Sequence, residues 1–230
     1  MITPVVLPWP LHSSLEAATR VLFDPGDRSS IDFLRPAGEA ALVSPDSVSW
    51  RVFKNPLSLF IGGITAVIME LAEPRVRTGV WEHTAFRLNP TPRLRRTGLA
   101  AMVTVYGARS TAEAMIARIR RMHDMVTGTT PSGEPYCAND PELLNWVQGT
   151  AAYGFLQAYH AYVQPLSSSE RDRYYAEGVS AAGLYGATNR RHRKPSLKCC
   201  FMRRPAGWSA RTLCLNFSRS CARRLFCRCC

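Results

Sequence analysis

The sequence predicts an all-α protein, a single multi-helix domain, on three observations. Apolar residues recur at helical spacing through the middle of the chain. Proline, serine and aspartate stand where helices should open, and glycine where they should close. No alternating apolar–polar run long enough to make a strand of useful length competes with these segments.

Taken in order, the region from Met1 to about Asn55 is a lead-in of mixed pattern, with one short amphipathic stretch from Ser14 to Phe23 followed by turn-forming Pro, Gly, Asp and Ser. The apolar run from Pro56 to Glu73 predicts a buried helix ended by Pro74. Gly62-Gly63 within it implies close approach to a neighbouring helix or to a ligand. A second helix should open near Pro92, since proline suits a first turn, and run to Tyr106 before Gly107. Ser110 with Glu113 three residues on reads as a capping box, which opens a third helix that closes at Gly128. Asp140-Pro141 opens a fourth, whose Leu143, Leu144, Val147, Ala151, Phe155, Ala158, Tyr159 and Tyr162 keep helical spacing to Val163. A last one starts at Ser167 to Ser169 and carries Glu170 to Ala182.

The formal charge of +12 would suggest a polyanionic partner if it were spread over the chain. It is not: residues 187–230 hold 12 Lys+Arg and no acid, which leaves 17 basic against 17 acidic residues in everything before. Seven of the eight cysteines also lie in that segment, and only Cys137 lies in the body. A body with one cysteine reads as a reduced, cytoplasmic protein. The start of the chain lacks a basic n-region, and Pro4, Pro8 and Pro10 break its apolar run, so no signal peptide is expected. The run from Pro56 to Met69 falls short of the roughly 20 residues that span a bilayer.

The chain thus divides into the lead-in 1–55, a helical domain 56–188 and a basic, cysteine-rich tail 189–230. Three readings of the tail stand side by side: a basic arm for nucleic acid, a metal module, or translation out of frame. Cys199-Cys200, Cys214, Cys221, Cys227 and Cys229-Cys230 include a single Cys-x-x-Cys spacing, Cys227 to Cys230, and no second pair to complete a zinc site, which weakens the metal reading. A nucleic-acid arm needs only charge. Out-of-frame sequence from a GC-rich coding region is rich in Arg, Cys, Pro and Ser and poor in acids, and this fits the tail best.

Three candidates for chemistry stand in the body. Arg93 and Thr97, four residues apart, share one helix face, where a guanidinium and a hydroxyl could hold an anion or polarise an oxygen ligand; a solvated, Arg-rich turn is the plainer alternative. His123 falls four and seven residues after Ile119 and Ile116, on the face that should point to the core. A lone imidazole there is either a hydrogen-bonded core residue or a ligand of the kind a haem iron takes. His83 and His160 are rivals in weaker settings. No P-loop, dinucleotide-binding glycine motif, His-Glu-x-x-His or Gly-x-Ser-x-Gly supports phosphoryl transfer, nicotinamide chemistry or α/β-hydrolase chemistry.

Several separated motifs nevertheless occur together. Gly62-Gly63, Leu71-Ala-Glu-Pro-Arg-Val76, Gly79-Val-Trp-Glu-His83, Arg93-Leu-Arg-Arg-Thr97, Val105-Tyr-Gly107, Arg121-Met-His123, Tyr136-x-Ala138-Asn-Asp-Pro-Glu-Leu-Leu144-x-Trp146-Val147 and Pro165-Leu-Ser167 to Glu170-Arg-Asp-Arg-Tyr-Tyr175 follow one another over about residues 50 to 186. In that order they resemble the catalytic domain of latex-clearing proteins (rubber oxygenases) and the mycophenolate-pathway oxygenase. The resemblance implies a haem-b pocket between helices and the use of dioxygen on a hydrophobic, isoprenoid-like substrate, with no specific nucleic-acid partner. It places the proximal haem ligand on His123 and the pocket Arg-x-x-x-Thr on Arg93 and Thr97. The nearest candidate for the pocket glutamate is Glu82. Glu73 stands where relatives often have histidine, which points to a different substrate. Relatives continue past Tyr185 with more acidic, helical sequence, so a frame change near Asn189 would leave the domain without its final helices. A truncated, non-catalytic member without stable haem is therefore the competing expectation.

Overall fold

A computed structural model describes residues 32–33 and 35–187, and these are overwhelmingly helical. The amphipathic stretch Ser14–Phe23 and the tail 189–230 lie outside the described residues.

Helix α1 (Val48–Phe53) is short and begins at Ser47, whose side chain accepts the amide of Trp50. Val48, Val52 and Phe53 are buried in the largest core cluster, and Glu177 accepts hydrogen bonds from the amides of Val48 and Ser49 at 3.0 and 2.9 Å. A carboxylate at a helix N-terminus is favourable because the first amides have no partner within the helix.

Helix α2 (Pro56–Glu70) is capped by the Asn55 side chain, which accepts from the amide of Ser58. It forms the most extensive helix pair in the fold with α6 (Pro141–Tyr162). The pairing depends on glycine. A Cβ on Gly62 would lie 2.7 Å from Phe155 Cα, and one on Gly154 would lie 2.6 Å from the carbonyl oxygen of Gly62. Gly62 thus serves helix–helix contact, one of the two expectations for the Gly62-Gly63 pair.

Pro74 does more than end a helix. After a break at Leu71–Glu73 it opens α3 (Pro74–His83), because a residue without an amide proton is well placed where the amide would have no acceptor. That helix was not expected from the sequence. It is followed by a 3₁₀ turn, Ala85–Arg87, and by α4 (Thr91–Tyr106), which carries Pro92 in its first turn.

The expected Ser110–Glu113 capping box is not formed. Helix α5 (Arg109–Asp124) starts two residues earlier, with Ala108 as its N-cap, and the Ser110 amide and hydroxyl instead donate to Glu39 at 2.6 and 2.7 Å. Nor does α5 reach Gly128. The chain turns into a two-stranded antiparallel hairpin, β1 (Thr127–Thr129) and β2 (Pro135–Cys137), with Gly128 opposite Tyr136. Gly133, at φ +85, makes its turn in a conformation that side chains disfavour. Strands of three residues are too short to show a period in sequence.

Asp140 caps α6 as expected by accepting the Glu142 amide at 2.7 Å. Ser167 and Glu170 form the full reciprocal capping box of α7 (Ser168–Glu177). Gly178 then separates α7 from α8 (Val179–Tyr185), so the helix expected across 170–182 is two. No single described helix is long and apolar enough to cross a membrane. The pair α2 and α3 would pass on length and composition, but they meet at a bend of 106°.

Candidate functional site

Three groups far apart in sequence share one electrostatic neighbourhood. Glu70 closes α2, Arg93 lies in the first turns of α4, and His123 lies in the last turn of α5. Glu70 is only 7% exposed. Burial pushes its carboxyl up to about 7, against the opposing pull of the Arg93 guanidinium. Burial also draws Arg93 down, with Glu70 countering and Arg96 adding to the effect. The two are not in direct ion-pair contact among the described residues, so each sits in low dielectric with its charge only partly compensated.

The His123 imidazole is depressed from its ordinary range by burial first and by Arg93 second, while the Asn139 side chain and Asp124 work the other way. Burial and Arg93 thus both favour the neutral form of the ring. Its Nδ1 is buried without an aligned hydrogen-bond partner, and so is the Oδ1 of Asn139. Asn139 is close enough to favour the charged ring, but the contact falls short of good hydrogen-bond geometry. Trp146 joins the site from α6 by donating its indole N–H to the Glu70 carbonyl at 3.3 Å.

Replacing Arg93 with methionine removes the one cation among the described residues that acts on Glu70 and should raise its carboxyl pKa above 7. A carboxyl titration followed by infrared difference spectroscopy or NMR checks this, and an unmoved midpoint would show that the two charges do not communicate.

The sequence model of the family described as "ER-bound oxygenase mpaB/B'/Rubber oxygenase, catalytic domain" matches residues 50–197. The chain belongs to this family. Comparison with curated proteins and with solved structures found no match. The match to the mpaB/rubber oxygenase domain takes in all three groups and runs past Asn189 into the basic segment.

Among the residues expected from the sequence, Arg93 and His123 are brought together. Thr97 is one turn beyond Arg93 on α4 and is exposed. Glu82 lies elsewhere, on α3, also exposed; Tyr136 donates its hydroxyl to Glu82 Oε2 at 2.8 Å and is 3.3 Å from His83 Nε2. That cluster ties α3 to the hairpin. His160 is engaged at the α6–α7 turn, where its Nδ1 accepts the Leu166 amide at 2.8 Å. Glu73 is bound to Arg75, 3.2 Å from carboxylate to guanidinium, and Arg75 also meets Glu134 and Glu142.

Glu70 was missed. Its signal is visible in retrospect: it is the sole ionisable residue of a 15-residue helix that is otherwise apolar or small. A charge at the end of such a run sits either at a solvated helix terminus or in a site, and the sequence does not say which. Asn139 was quoted within a motif but given no role, because an amide acquires one only through what faces it.

Proposed function

We propose that this oxygenase-family domain is a haem-b-dependent oxygenase acting with dioxygen on a hydrophobic substrate, of the isoprenoid class that the family resemblance implies. The observation that carries the proposal is the convergence of Glu70, Arg93 and His123 from three helices, with a neutral imidazole beside a buried cation and a carboxyl near neutral pKa.

The residues present suit the cofactor. A b-type haem needs one axial imidazole rather than a cluster of ligands, so the lack of any group of three metal-binding side chains among the described residues does not conflict with it. His123 would hold the iron. Arg93, already desolvated, would attract a propionate or an oxygen-bearing ligand without the cost of burying a fresh charge. Thr97, on the same face of α4, adds a hydroxyl at its outer edge. Haem, when bound, supplies the dioxygen chemistry, and the protein supplies ligand, polarity and access.

Glu70 is suited to move a proton. With its pKa near 7 it can accept one at neutral pH and return it, which an acid in its ordinary range near 4.5 does poorly. Glu82 is the alternative proton acceptor expected from the family pattern; here its carboxylate already accepts from Tyr136.

The proposal is tested by oxygen consumption of haem-reconstituted protein with a polyisoprenoid, alongside Glu70→Gln and Glu82→Gln. Oxygen uptake with carbonyl-containing cleavage products, lowered about 100-fold or more by Glu70→Gln, is the expected result for a general base. Loss with Glu82→Gln and none with Glu70→Gln would move that role to Glu82. No uptake by haem-loaded protein with any isoprenoid would overturn the substrate assignment.

A further inference from the structure

We infer that Asn139 is a positioning residue for His123, fixing the imidazole with its proton on Nδ1 and its lone pair on Nε2. The inference deepens the proposed ligand role of His123 and rests on that reading for its functional meaning.

Asn139 is held through its amide nitrogen. Its Nδ2 donates to the carbonyl of Arg120 at 2.9 Å and to Asp124 Oδ1 at 2.6 Å, both towards the C-terminal end of α5. Those two acceptors fix which way the amide faces. Turned over, the side-chain oxygen would meet a carbonyl and a carboxylate, two groups that only accept. Oδ1 therefore points the other way, where it is buried and lacks an aligned donor.

His123 supplies the complement. Its Nδ1 is also buried without an aligned partner, and the Asn139 amide acts on this ring in the direction that an acceptor would. One atom lacks a donor and the other lacks an acceptor. An N–H at Nδ1 facing Oδ1 satisfies both, whereas two buried polar atoms left bare would each keep an uncompensated desolvation cost.

The backbone holds this arrangement from the far side. Val126 donates its amide to the His123 carbonyl at 3.0 Å, and Ala138 donates to the Val126 carbonyl at 2.9 Å. The segment carrying Asn139 is thus laced to the end of α5 by main chain and side chain together. The β-hairpin between Val126 and Ala138 is what brings it back, which gives the hairpin a reason to interrupt an all-helical domain.

For a metal-binding histidine, the partner of the second nitrogen sets the tautomer, the ring orientation and the ligand's basicity. Removing it typically weakens metal affinity by about 10–100-fold. Asn139, unlike a carboxylate, would do this without adding negative charge next to the ring.

The test begins without cofactor. Long-range ¹H–¹⁵N correlation spectra of the full-length protein at pH 8, with the His123 signals identified by their loss in His123→Ala, report which nitrogen carries the proton. The proton is expected on Nδ1 in the parent and predominantly on Nε2 in Asn139→Leu and in Asn139→Ala. A parent with the proton on Nε2, or variants that keep it on Nδ1, would overturn the inference; the parent spectrum decides even if neither variant folds. Haem titration then separates the two readings. Haem affinity about 10–100-fold weaker in Asn139→Leu supports both. An Nδ1 proton in a parent that takes up no haem upholds the positioning role and removes the cofactor reading.

Discussion

Gly154→Ala is expected to lower the unfolding free energy by about 2–3 kcal/mol, although alanine is the better helix former by about 1 kcal/mol. The reason is steric. The new Cβ would stand 2.6 Å from the Gly62 carbonyl oxygen and 3.0 Å from the Ala66 amide nitrogen, and these are backbone atoms that can yield only if the helices separate. Separation would loosen Phe53, Leu59, Phe155, Leu156 and Tyr159, the buried residues at this crossing. Gly149, five residues earlier in the same helix, is the internal control: nothing lies within 4 Å of a Cβ there. Gly149→Ala should therefore stabilise by up to about 1 kcal/mol. Denaturant melts of the two variants read the difference directly. Equal effects would mean that α2 and α6 do not cross as closely as described.

Glu70→Gln should stabilise the apo-protein at pH 8 by about 3 kcal/mol and flatten its pH dependence. The folded state raises this carboxyl from 4.5 to about 7, chiefly by burying it. Between those two values the folded protein holds a proton that the unfolded chain has released. The contribution of Glu70 to stability is therefore complete below pH 4.5 and is lost as the pH rises through 7. Glutamine keeps the shape and has nothing to ionise. Urea melts of parent and variant at pH 5 and pH 8 check this, and a parent whose stability falls no faster than the variant's over that interval would show that Glu70 is not desolvated. A residue that weakens its own fold at neutral pH needs another reason to be there, and proton transfer at the site is the one we propose.

Most of the helical frame was legible in the sequence, and the exceptions share a physical cause. Asp140-Pro141 and the helix start at Ser167 read correctly because their capping partners are local. Ser110 misled because its hydroxyl found a better partner in Glu39, 71 residues away. Pro74 was read as a stop when it is also a start, since proline that cannot continue one helix suits the first turn of the next. The Gly62-Gly63 pair announced close packing but could not name Gly154 as its counterpart.

The site shows the same division. Arg93 and His123 stood out by residue type and spacing, and the structure adds that they act on each other. Glu70 and Asn139 became visible only when α2, α5 and the hairpin were assembled, because a carboxyl becomes unusual through desolvation and an amide through what it faces. Glu82 and Thr97 occupy the sequence positions that the family pattern suggested, on exposed parts of α3 and α4.

The most direct test of this account is the absorption spectrum of the purified protein, and of His123→Ala, each expressed with supplied haem. A Soret band is expected in the parent, and the variant should lose or shift it. A parent without bound haem, or a variant whose spectrum and haem affinity equal the parent's, would contradict it.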